Sequence, residues 1–383
     1  MSTLRRRGNG DQGGNGAAPT DGPRKALSAD KVKEEEGKVR KVLVRTISGG
    51  LFIIFFNLVI WAGHFYAVLF TFLCQIGCFR ELTRIGVERA HECKLPGFIE
   101  LQWFWFLTAT SAVYGPWLES VKAARTIDTG GMPGWLVVLV EHQALVSLLL
   151  YSAAFVASVL SLRPPETTYL YQMRRLAFTL AALLVTHGQI AGLMAVIYKG
   201  LIWYFVPSSI VVTNDIFAYF TGVACGRRFV DRPLLTLSPN KTFEGFLGAI
   251  VWTCLFAFLF TGHVASYKWF TCPAEALTLV PHAKIDCQPH PVFAPVAPQA
   301  LPGWWPPEWP VRPVQLHMIG VALFASLVGP FGGFVASGIK RAYGIKDFAS
   351  FLPGHGGLMD RNDCQMLTHM FVGVYLATFL KDL

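Results

Sequence analysis

The chain has 383 residues, of which 53% are hydrophobic and 15% charged, with a formal net charge of +9 and a mean hydropathy of +0.43. Soluble domains carry nearer ~25% charged residues. Charge-free runs at 46–79, 176–198, 245–267, 313–339 and 364–380 reach or approach the ~20 apolar residues that cross a bilayer. These features exclude a soluble enzyme and predict an all-α polytopic membrane protein, for which no nucleic-acid partner is expected.

In chain order, residues 1–45 are rich in Gly, Asn, Lys and Arg, with 11 basic against 6 acidic residues. They contain no early apolar stretch of the signal-peptide kind and read as a disordered, basic, cytosolic tail. Residues 46–383 read as one multi-span catalytic domain. About nine transmembrane helices are expected, near 46–63, 64–80, 101–119, 135–160, 176–198, 201–223, 245–262, 316–337 and 365–380. The run 46–79 is divided at Gly63-His64, because a single 34-residue helix would be ~51 Å long, too long for the ~30 Å hydrocarbon core.

Cytosolic loops carry an excess of Lys and Arg. With nine spans and a cytosolic tail, the loops 80–100, 163–175, 225–244 and 338–364 fall on the same side, and with the tail they hold 26 of the 33 Lys and Arg residues. The other side keeps Lys122, Arg125, Lys199, Lys268, Lys284, Arg312 and Lys381. The longest segment on that side, 263–315, is Pro- and Trp-rich (LPGWWPPEWP, 301–310) and contains Cys272 and Cys287. A lumen permits a disulfide, but spacing alone leaves their pairing open. The remaining cysteines lack metal-ligand spacing. Cys74 and Cys78 share a helix face and are expected in the core, as are His64 and His187 at core or turn positions.

Two charged constellations follow the tail, both on the predicted cytosolic side. In GRRFVDRPLLTLSPNKTFEG (226–245), Ser238, Asn240 and Thr242 can cap the helix opening at Glu244, and Lys241 stands beside that anion-binding helix start. In SGIKRAYGIKDFASFLPGHGGLMDRND (337–363), Asp347, Asp360 and Asp363 offer the hard oxygens that Mg²⁺ prefers. Lys340, Arg341, Lys346 and Arg361 supply cations for phosphate. The glycines around His355 let backbone N–H groups approach an anion. Asp215 interrupts the span near 201–223, and an intramembrane charge is a functional candidate by default. Acids, bases and a glycine nest together suit a metal-bridged polyphosphate, and so phosphoryl-type transfer. No GxxxxGK[ST] sequence is present, so no Walker-type site is expected.

The 337–363 stretch resembles the signature of the phosphatidate cytidylyltransferases (CDP-diacylglycerol synthases), departing from it at Asn362, where the family carries an apolar residue. VVTNDIFAYFTGVACGRR (211–228), LSPNKTFEGFLGA (237–249) and the RTISGG…GHFY start (45–66) resemble blocks of its eukaryotic branch. The resemblance extends over roughly residues 40–383. It implies the reaction of CTP with phosphatidate to give CDP-diacylglycerol and pyrophosphate, with Mg²⁺ and room for a second, monovalent cation. It implies that Asp347, Asp360, Asp363 and Ser337 hold metal, and that Lys340, Arg341, Lys346 and Arg361 hold phosphates. Asp215, Lys241 and Glu244 would complete the pocket, while Ser238, His355, Gly356 and Gly357 shape the nucleotide side. An endoplasmic-reticulum location and a homodimer are expected on the same ground. A CTP-dependent lipid kinase and, further off, an ion or solute transporter are the alternatives.

Overall fold

A computed structural model describes residues 43–92, 97–123, 134–164, 166–235, 238–274, 279–283, 285–296, 310–351, 354 and 356–382. By contacts the chain divides into residues Met1–Ile47 and Ser48–Leu383. Only 43–47 of the first unit are described, so the predicted tail lies almost wholly outside the described residues.

Helices α1 (Leu43–Ala62) and α2 (His64–Glu92) meet at Gly63, where φ is +119°, as the sequence division requires. A Cβ is strongly disfavoured in that region. Helix α2 does not end near residue 80 but runs to Glu92. Glu81, Leu82 and Thr83 are buried against the bundle, so tertiary packing extends the helix past the apolar run. Next come α3 (Phe98–Ala123), α4 (Gly134–Glu141) and α5 (Gln143–Leu160), the last two separated at His142. α6 (Glu166–Thr186) and α7 (Leu193–Tyr198) are joined by a 3₁₀ turn and Gly192 at φ +83°. α8 (Ile202–Cys225) leads to a two-stranded antiparallel hairpin, β1 (Pro233–Leu235) and β2 (Ser238–Thr242), paired Pro233 to Thr242 and Leu235 to Ser238. This hairpin departs from the purely helical expectation. α9 (Phe243–Val264), the short α10 (Lys268–Thr271), α11 (Pro313–Leu327), α12 (Pro330–Ala342) and α13 (Met359–Phe379) complete the order.

Among the described residues, seven helical segments are long and apolar enough to cross a membrane: Leu43–Ala62, His64–Ile85, Gln143–Leu160, Tyr169–Tyr198, Ile202–Cys225, Phe243–Val264 and Pro313–Ala342. The protein is therefore a polytopic integral membrane protein. The other two expected spans form α3 and α13, helices of 26 and 21 residues. They are more polar, because α3 carries Glu100 and Gln102 and α13 opens on Asp360, Arg361 and Asp363. Two of the seven are interrupted, at 187–192 and at 328–329. Such breaks are tolerated at membrane depth where protein surrounds the freed backbone.

The first turns of α8 are buried on every side, with Ile202, Trp203, Val206 and Ile210 fully enclosed. Its later turns pack on α9 through small residues. A Cβ on Gly245 would stand 2.8 Å from the Ala218 carbonyl, and one on Gly248 would stand 2.7 Å from Thr221. This close backbone approach is the small-residue packing typical of membrane helices.

One end of the bundle is closed by the segment after α9. Cys272 and Cys287 form a disulfide, which resolves the pairing that spacing left open. Trp269 Nε1 donates to the Ile60 carbonyl at 3.1 Å and the His282 amide donates to the Ala62 carbonyl at 3.0 Å. The His282 ring stacks on Trp61 with centroids 5.0 Å apart. His64, Cys74, Cys78 and His187 are buried as expected. From His64, α2 rises ~26 Å to Glu81 at 1.5 Å per residue, close to the thickness of a bilayer core. Glu81 marks the other end, where the charged constellations gather.

Candidate active site

The loop 343–358 and the first turn of α13 are organised by two carboxylates. Asp360 Oδ1 receives the Lys340 ammonium at 2.6 Å, and its Oδ2 accepts the amides of Phe348 and Gly357, both at 3.0 Å. One acid thus ties the end of α12, the loop and α13 together. Lys340 also lies 5.4 Å from the Phe348 ring centroid.

The second carboxylate is Glu81, which the sequence reading missed. It is 7% exposed and accepts the Leu358 amide at 2.8 Å and the Met359 amide at 2.9 Å. A helix start leaves its first amides without intrahelical partners, and here a carboxylate from α2 satisfies two of them, where negative charge is favoured. A Cβ on Gly357 would collide with the Glu81 carboxylate, so glycine is needed for this close approach. Glu81 could have been suspected from its place in FRELTR, immediately after an apolar run, but nothing local links it to residue 358.

Gly356 has φ +83°, and a Cβ there would lie 3.0 Å from Asp360 Oδ2 and 3.4 Å from Asp347 Oδ1. Asp347 and Asp360 therefore both lie beside the glycine loop. His355 lies outside the described residues. Asp347, Lys346, Arg341 and Arg361 are exposed, placed to meet a soluble polyanion.

Asp215 on α8 faces the same region from the other half of the chain. The charges of Lys241 and Arg361 act on it, and it in turn acts on Asp363. Among the described residues no hydrogen bond is made to the Asp215 carboxylate. Asp363 Oδ1 accepts the amide of Cys364 at 2.8 Å, while its Oδ2 faces Gly333 of α12. A Cβ on Gly332 would collide with the Asp363 carbonyl, so this glycine lets α12 and α13 touch beside the acid. Lys241 Nζ lies 4.5 Å from the Phe334 ring centroid on α12. Sequence-distant residues 215, 241, 340 and 363 are thereby brought into one neighbourhood.

Other expected site residues are engaged within the protein. Glu244 accepts the amides of Arg227, Phe229 and Val230 at 3.2, 3.0 and 2.8 Å, so it shapes the turn after α8. Thr242 caps α9 by accepting the Gly245 amide at 3.1 Å. Ser238 lies in β2 opposite Leu235, and the Asn240 side chain is outside the described set. Ser337 donates to the Gly333 carbonyl at 2.8 Å, and its oxygen accepts no hydrogen bond among the described residues.

A metal can be tested against these donors. Among the described residues no three His, Cys, Asp or Glu side chains converge on one point. Mg²⁺ does not require that, since it usually keeps several waters and takes one or two carboxylates plus substrate phosphates. Asp215, to which no hydrogen bond is made among the described residues, and Asp363, bonded only by its neighbour Cys364, fit the pattern. Asp360, already holding an ammonium and two amides, is the least available of the acids.

Residues 43–379 match the pattern of the Cytidylyltransferase family. The chain is also 37% identical over 374 residues to a probable phosphatidate cytidylyltransferase of Dictyostelium discoideum, covering 93% of this chain and 75% of that protein. The chain belongs to the phosphatidate cytidylyltransferase family. Phosphatidate cytidylyltransferase 1 of Arabidopsis thaliana is 38% identical over 367 residues, covering 94% of this chain and 84% of its own. The human phosphatidate cytidylyltransferase 1 is 36% identical over 363 residues, covering 94% and 75%. Family membership agrees with the 337–363 resemblance and with a membrane-embedded site of acids and bases.

Proposed function

We propose that the protein transfers the cytidylyl group of CTP to phosphatidate, giving CDP-diacylglycerol and pyrophosphate for phospholipid synthesis, at the site just described. A phosphate oxygen of phosphatidate bonds to the α-phosphorus of CTP as the bond to the bridging α–β oxygen breaks. The attacking phosphate is already an anion, so no general base is needed. The protein has to hold two polyanions together and neutralise the charge developing at the α-phosphorus and on pyrophosphate, which is positioning plus electrostatics.

The observation carrying this reading is the acid pair Asp215 and Asp363, the first without a hydrogen bond among the described residues and the second bonded only by its neighbour Cys364, set among Lys241, Lys340 and Arg361. Asp215, Asp363 and Asp347 would hold Mg²⁺, with Ser337 as a further oxygen donor. When bound, the metal supplies charge neutralisation on the phosphates. Arg341, Lys346 and Arg361 grip phosphate oxygens, and Lys241 reaches them from the α9 start. Gly356, Gly357 and His355 form the nucleotide loop, and Ser238 lines its far side. Asp360, Glu244 and Glu81 act by positioning, since their oxygens accept from the protein itself, while Lys340 spends one donor on Asp360 and keeps two for phosphate.

The site end is proposed to face the cytosol, the source of CTP, with residues 1–45 on that side. The Cys272–Cys287 disulfide at the opposite end supports this, because disulfides persist in oxidising compartments. Endoplasmic-reticulum residence and a homodimer belong to the same proposal.

The test is incubation of the detergent-purified protein with Mg²⁺, dioleoyl phosphatidate and CTP labelled at the α-phosphorus. Label entering the lipid with release of pyrophosphate, both abolished by EDTA, is the expected result. No labelled lipid, with CDP formed from γ-labelled CTP, would replace the reading with a lipid kinase. No turnover of either kind from folded protein would overturn it.

A further inference from the structure

At the same end of the bundle, away from the acid pair, a cleft opens between α3, α5 and α6. Its walls include Phe98, Leu101, Trp105, Leu176 and Gln172. Gln172 is 6% exposed. Its carbonyl oxygen accepts the Arg163 amide at 3.2 Å, yet its Nε2, at the cleft wall, has no partner among the described residues. One turn along α6 stands Arg175, 4% exposed, whose Nε and Nη1 likewise have no partner among the described residues. Its Nη2 donates to the Thr83 carbonyl of α2. The guanidinium carbon lies 5.6 Å from the ring centroid of Phe98, a cleft residue, and 5.4 Å from that of Phe178. Among the described residues no carboxylate forms an ion pair with it.

A buried guanidinium without a counter-ion is costly, and buried polar atoms are almost always satisfied. The unpartnered Nε2 of Gln172 at the wall, and the fixed positive charge of Arg175 behind Phe98 and outside the lining of the cleft, call for an oxyanion such as phosphate. The cavity is small, about 30 Å³, room for about two water-sized groups. It therefore admits the oxygens of a headgroup and not a whole soluble nucleotide. The apolar walls, and Leu170 and Met173 exposed on the outer face of α6, continue the site into lipid.

We propose that this cleft is a second binding site, separate from the catalytic one, for the phosphate of an anionic phospholipid, which takes the Gln172 donor at the wall and is attracted by the Arg175 charge behind Phe98. Its position depends on α2, since the third donor of Arg175 rests on Thr83, two residues beyond Glu81.

The experiment is native mass spectrometry of the delipidated full chain titrated with palmitoyl-oleoyl phosphatidylglycerol, a phosphodiester lipid that is not a substrate. Wild type is expected to retain one lipid. Arg175→Met, which keeps the length of the buried stem, and Gln172→Leu should each weaken retention by about tenfold or more, about 1.4 kcal/mol. Asp215→Asn should retain the lipid as wild type does, separating this site from the catalytic one. Phosphatidylcholine, whose phosphate carries its own cation, should bind at least about tenfold more weakly. Displacement of the lipid by millimolar inorganic phosphate would reassign the site to a free anion and overturn its lipid character. Equal retention by wild type and both variants, or equal retention of phosphatidylcholine, would overturn the proposal. If Arg175→Met does not fold, Gln172→Leu decides alone.

Discussion

Replacing Glu81 by glutamine keeps the shape of the side chain and removes its charge and one of its two acceptor oxygens. In the native protein those oxygens accept the Leu358 and Met359 amides at 2.8 and 2.9 Å in a buried setting. Hydrogen bonds to charged groups contribute ~1.5–3 kcal/mol each, and a buried donor left unpaired costs ~1–3 kcal/mol. Glutamine can satisfy one amide and turns its own NH₂ toward the other, so the loop closed over Asp360 should lose about 2 kcal/mol. Felt entirely as a smaller fraction of closed loop, that is roughly 30-fold in kcat/KM. Glu81→Ala loses both bonds and should cost more than ~100-fold, within the same reasoning. The assay is CTP- and phosphatidate-dependent turnover, with thermal unfolding of each variant recorded alongside. Gly357→Ala should mimic the loss by pushing Glu81 aside, and the Glu81→Ala/Gly357→Ala double variant should be far from additive, because the residues act through one contact. A glutamine variant within about threefold of wild type, or additive behaviour of the pair, would refute this account of the loop.

Asp215→Asn and Asp363→Asn should leave thermal stability within about 1 kcal/mol and raise the Mg²⁺ concentration needed for half-maximal turnover; an unchanged Mg²⁺ titration would remove both from the metal site. Asp360→Asn should lower stability by about 2–4 kcal/mol, because it strips the Lys340 ammonium of its buried partner; a melting curve matching wild type would contradict this. Gly356→Ala should cost at least ~1 kcal/mol at φ +83° and reduce kcat through crowding of Asp360, read by steady-state kinetics. Cys272→Ser opens a bridge of sequence separation 15 and should cost about 3 kcal/mol of stability. Because the bridge lies at the end remote from the site, turnover below the melting temperature should stay within about twofold; a larger loss would mean that the two ends are coupled.

The membrane class, the places of the helices and the charged stretches that gather at one end of the bundle were legible in the residues themselves. Charge-free runs report burial in lipid directly, since an uncompensated charge there is expensive. Gly63 was legible as the division between α1 and α2 because one helix of that length does not fit a bilayer. The D-R-x-D and H-G-G chemistry stood out because such residues are rare in an otherwise apolar chain. What the residues could not say was how each acid is used. Asp360 and Asp363 are three apart on one helix and look equivalent, yet Asp360 is tied to Lys340, Phe348 and Gly357 while Asp363 accepts the amide of its neighbour Cys364. Glu244, expected to help complete the pocket, accepts three amides of the preceding turn. Glu81 lies 277 positions from the first amide it binds, a separation that no helical period or motif spacing encodes. Periodicity and composition act over a few residues and determine which segments enter the membrane. The partner of a carboxylate is decided by which helices pack together, and that choice exists only once the chain has folded.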